Sequence, residues 1–120
     1  MAILADDLIW GSRLAGLVRD AGAEVAPIRS LAALEERLAE VDAAIVDLTA
    51  RAYDGAAAIA VAAGAGLPVI AVGQHDDRPT RDRALAAGAG QVYAYRRLFE
   101  DGPRQVATWL ASIQVAQARR

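Results

Sequence analysis

Among its 120 residues the chain has no lysine and no cysteine. Without cysteine there are no disulfides and no thiolate metal sites, and a reducing, cytoplasmic setting is expected. Without lysine there is no phosphate-binding loop of the GxxxxGK type, and all 13 basic residues are arginine. Aromatics are only 5% of the chain, while hydrophobic residues, many of them alanine, are 55%. A tight, small-grained core is therefore expected. No apolar run reaches the roughly 18 residues of a membrane span, and no leader pattern opens the chain. The formal net charge of −2 makes no electrostatic case for nucleic acid or an anionic membrane as partner. The length predicts one domain, residues 1–120.

What is present is alternation. Short apolar runs at Ala2–Ala5, Glu24–Ile28, Ala43–Val46, Pro68–Val72 and Gln91–Tyr95 read as five strands. Between them lie stretches with helical spacing. Ser12 and Ser30 are candidate caps, Gly22 and Gly88 candidate stops, and Pro103 suits the first turn of a last helix with stripe Val106, Trp109, Leu110 and Ile113. Strand and helix alternating five times predict an α/β doubly wound fold. The expected sheet is parallel, in order 2-1-3-4-5, with two helices on one face and three on the other.

In such folds the site lies at the carboxyl ends of the strands. Asp6 and Asp7 follow the first strand, and Asp47 ends the third. Three carboxylates converging there would repel one another, and one Mg²⁺ bound weakly by Asp6, Asp7 and Asp47 would relieve the repulsion. The competing expectation is that these acids are ordinary turn and cap residues.

These residues resemble those of response-regulator receiver domains, the CheY-like phospho-acceptor modules of two-component signalling. Asp6-Asp7 resembles the family's acidic magnesium pair, and Asp47 its phospho-acceptor. DLTARAYDG keeps the spacing from acceptor to the following Asp54-Gly55, and Pro68, Ala87-Gly88-Ala89 and Phe99 also fit. The resemblance implies a flavodoxin-like (βα)5 fold and a non-enzymatic signalling role. It implies a histidine kinase or a downstream target as partner. It also implies a homodimer through the face of the fourth helix, fifth strand and last helix.

The departures point to an atypical form. The switch hydroxyl expected at the end of strand four falls on Gly73, and the expected lysine at the end of strand five falls on Tyr95. Arg51, Arg96 and His75 are candidate replacements for contact with an anion on Asp47. Tyr95, without its partner hydroxyl, reads mainly as a surface or interface residue. The apolar triplet Leu8-Ile9-Trp10 reads equally as a staple onto the first helix or as an apolar rim for a partner.

A stand-alone receiver-like domain acting through protein contacts is thus expected. The alternatives are an active phospho-acceptor or, further off, a small phosphotransfer enzyme. A haloacid-dehalogenase-type phosphatase would show Asp-x-Asp after strand one, where this chain has Asp-Asp. Neither a GxGxxG nor a cobalamin-type Asp-x-His-x-x-Gly motif occurs.

Overall fold

The computed structural model describes residues 1–74 and 77–118. Strands β1 (Ala2–Leu4), β2 (Ala26–Ile28), β3 (Ala44–Asp47), β4 (Val69–Gly73) and β5 (Gln91–Ala94) alternate with helices α1 (Leu8–Asp20), α2 (Leu31–Arg37), α3 (Gly55–Gly64), α4 (Arg78–Ala87) and α5 (Tyr95–Ala118). The sheet order is β2-β1-β3-β4-β5, and every adjacent pair is parallel. Both features agree with the sequence expectation.

Alternating side chains divide the core between the two faces. Ile3, Ile45, Ile70 and Val72 pack with α1 and α5. Ala2, Leu4, Ala44, Val46, Val69 and Ala71 pack with α2, α3 and α4. The second face carries three alanines, so α3 can approach it closely through Ala58, Ile59 and Ala62. Fully buried side chains such as Leu14, Leu34, Ile45 and Ile59 each contribute about 1.5–3 kcal/mol of burial. Gly88 ends α4 with φ +119°, and a Cβ there would lie 2.6 Å from that of Ala63. Both the backbone and the α3 contact therefore require glycine.

Two of the boundaries that differ from the sequence reading border the candidate site. Helix α1 starts at Leu8, not after Ser12, because Asp7 caps it. Its carboxylate accepts from the amides of Ile9 and Trp10 at 2.8 and 3.0 Å. Strand β5 stops at Ala94, and Tyr95 opens α5. The helical run from Tyr95 is broken at Asp101 (φ −134°, ψ 21°), two residues before Pro103. That break lets Pro103 behave as a first-turn proline although helix precedes it. Among the described residues no helix is long and apolar enough to cross a membrane.

Candidate functional site

Strands β1 and β3 are neighbours, with Leu4 opposite Val46, so Asp6, Asp7 and Asp47 all fall at one end of the sheet. Their carboxylates have separate jobs. Asp7 caps α1. Asp6 Oδ2 accepts from the amides of Arg51 and Ala52 at 2.8 and 2.9 Å, tying the end of β1 to the loop after β3. These two amide bonds hold the Asp6 carboxyl below the usual carboxylate range. Its main-chain carbonyl accepts from Arg29 Nη2 at 2.9 Å.

Asp47, the last residue of β3, is fully buried (0% exposed). Its Oδ1 accepts from the amide of Thr49 at 2.9 Å and the Thr49 hydroxyl at 2.7 Å. Among the described residues its Oδ2 is buried without a hydrogen-bond partner.

Among the described residues, no three histidine, cysteine, aspartate or glutamate side chains form a group that could hold a metal. The expected ligands Asp6, Asp7 and Asp47 are not gathered into such a group. Two of them are turned onto backbone amides, and the third is enclosed with one oxygen taken by Thr49. In this structure Asp7 caps α1 and Asp6 ties the end of β1 to the loop after β3.

Gly73, at the place of the switch hydroxyl, does not border open space. A Cβ there would lie 3.3 Å from both Cβ and Cδ1 of Leu48. The Leu48 side chain fills the volume that a threonine would need. Leu48 is itself fixed by its amide, which donates to the Val72 carbonyl at 2.8 Å.

Tyr95 is the clearest correction. Read from the sequence as a surface or interface residue, it is 9% exposed and packs in the core. Strand alternation does not govern it, because the chain has already turned into α5. Its ring lies 4.3 Å from that of Trp10 and 5.7 Å from that of Phe99, and Trp10 and Phe99 stack at 5.6 Å. The Arg13 guanidinium sits over Trp10 and Phe99 at 5.3 and 5.5 Å. Among the described residues the buried Tyr95 hydroxyl has no hydrogen-bond partner. Burial first, then the charge and side chain of Asp47, push its pKa upward, while the Thr49 hydroxyl opposes the shift.

Sequence reasoning missed Tyr53. Its buried hydroxyl faces the carbonyls of Leu4 (2.8 Å) and Asp47 (2.9 Å) and staples β1 to β3 beside the candidate acceptor. Burial, then the charges of Asp47 and Asp6, raise its pKa as well. The available signal was one large aromatic within the small, polar run TARAYDG.

The proposed anion contacts are not assembled. Arg51 is exposed, with its amide on Asp6. Arg96 is exposed and paired with Glu100 at 3.2 Å. Among the described residues neither is bonded to Asp47, and His75 lies outside the described residues. Leu8 and Ile9 are 71% and 69% exposed, so they do not staple the loop, whereas Trp10 does pack into the core. Arg81, Arg96, Arg97 and Glu100 line a groove of about 660 Å³ along β5 between α4 and α5.

No protein-family model and no curated protein matches the sequence. Solved structures do match the fold. The signal receiver domain of a LuxO repressor protein from Vibrio parahaemolyticus matches with a TM-score of 0.81 at 12% identity, over 99% of this chain and 95% of that one. A CheY-like response regulator receiver domain protein from Methanospirillum hungatei matches with a TM-score of 0.71 at 17% identity, over 92% and 95%. NtrX from Brucella abortus matches with a TM-score of 0.75 at 19% identity over 98% of this chain, which spans 29% of NtrX. With β2-β1-β3-β4-β5 order and matches over nearly its whole length, the chain has the fold of CheY-like receiver domains.

Proposed function

We propose that this chain is an atypical, receiver-like signalling domain of two-component type that acts by binding protein partners without a phosphoryl switch. The observation that carries this reading is the state of Asp47. It keeps the acceptor's place but is fully buried, with Oδ1 engaged by Thr49. The groups that would bind magnesium or follow a phosphoryl group are absent or otherwise engaged. Asp6 and Asp7 hold backbone amides, Gly73 has no hydroxyl, and the lysine position is Tyr95. A ligand shifts a conformational equilibrium only by its differential affinity for the two states. With no sensing contact, that difference is small.

Function then rests on surfaces. The groove along β5 carries three arginines and one glutamate, a balance suited to an acidic partner such as a kinase segment or a downstream target. A second copy bound through the same α4–β5–α5 face must offset the repulsion among these arginines. No residue is assigned a catalytic role.

The test is treatment of the intact chain with acetyl phosphate and Mg²⁺, followed by intact-mass and sizing measurements. The expected result is no phosphoryl adduct and no change in elution. An adduct that disappears in Asp47→Asn would establish the alternative, an active phospho-acceptor.

A further inference from the structure

We propose that Tyr95 is a built-in plug of the acceptor pocket, its hydroxyl turning in solution to donate to Asp47 Oδ2 and keeping that oxygen from any incoming group. This rests on the non-switching reading above and names the residue responsible for it. Asp47 Oδ2 and the Tyr95 hydroxyl are both buried, and among the described residues neither makes a hydrogen bond, to the other or to any other group. They are chemically complementary, since a carboxylate accepts and a phenol donates. Thr49 already occupies Oδ1, which leaves Oδ2 as the free acceptor. A buried donor and a buried acceptor that stay unpaired are each costly, and one bond between them removes both costs.

The placement fits. Asp47 is paired with Val72 and Ala94 with Gly73, so Tyr95 emerges at the end of the sheet occupied by Asp47. Burial first, then Asp47, raises the phenol's pKa and keeps it protonated as a donor. Trp10 and Phe99 flank the ring, and Arg13 covers their outer side, so the ring is clamped in place. A lysine in this place would supply a cation for a phosphoryl oxygen, whereas the tyrosine supplies a neutral donor and a stack that closes the pocket.

The test is a double-mutant cycle of melting temperatures without any phosphoryl donor. Tyr95→Phe should lower the melting temperature by roughly 5 °C in the native background and by little or nothing in Asp47→Ala. Equal losses in the two backgrounds, or no loss in the native one, would overturn the bond. Should Asp47→Ala not fold, the ultraviolet resonance Raman difference between the native chain and Tyr95→Phe replaces the cycle. A strong-donor tyrosine signature is expected, and a non-donor signature overturns the proposal. A negative cycle with no phosphoryl adduct on the native chain removes the role of Tyr95 alone. An adduct on native Asp47 overturns the plug and the non-switching reading together.

Discussion

Raising the pH should destabilise this protein through two buried phenols. Tyr53 and Tyr95 both have pKa values raised above 10.0, mainly by burial and next by the charge of Asp47. For an acid with a raised folded-state pKa, the folded state holds its proton more tightly than the unfolded state. The stabilisation is therefore complete below pH 10 and is lost as the unfolded chain ionises above it. At pH 11 each tyrosine accounts for about 1.4 kcal/mol of lost stability, and the two together for roughly 3 kcal/mol. That corresponds to a fall in melting temperature of roughly 10 °C. The background is unusually simple, because there is no lysine or cysteine and arginine stays charged. The assay is thermal melting from pH 8 to 11 on the native chain, Tyr53→Phe and Tyr95→Phe. Each variant should lose about half of the alkaline slope. An alkaline slope that is absent, or unchanged in both variants, would refute the burial argument.

Three further outcomes are expected. Tyr53→Phe leaves the Leu4 and Asp47 carbonyls without a shared donor, and should cost about 1–3 kcal/mol in urea unfolding. Gly73→Thr should destabilise by about 1–3 kcal/mol because its Cβ meets Leu48 at 3.3 Å, and Leu48→Ala in the same chain should recover part of that loss. Asp6, whose carboxyl is lowered by the Ala52 and Arg51 amides, contributes stability that is present above its unfolded value of 3.8 and lost as pH falls below it. Acid melts of Asp6→Ala should accordingly show a shallower acid limb than the native chain.

Fold class, strand order and helix distribution were legible because the apolar runs are short, separated and alternate regularly with amphipathic stretches. The boundaries that failed share a cause. Asp7 was read as a metal ligand, which hid its role as the α1 cap and shifted the predicted start of the helix to Ser12. Tyr95 was read with strand alternation, a rule that stops applying where α5 begins. The positions of Asp6, Asp7 and Asp47 at one end of the sheet were legible from the pattern. Their partners were not, because the direction of a carboxylate depends on loop amides that no residue-type pattern encodes. Leu48 against Gly73 and Tyr53 across two carbonyls are packing facts of the same kind, and both depend on long-range contact.

The most direct measurement is a titration of the intact chain with beryllofluoride and Mg²⁺, followed by tryptophan fluorescence. Trp10 stacks on Tyr95 and so reports on the pocket, while Trp109 on α5 supplies a constant signal. A pocket closed around Asp47 predicts no saturable change and no shift in elution volume. A saturable change that disappears in Asp47→Asn would contradict it and make Asp47 a working phospho-acceptor.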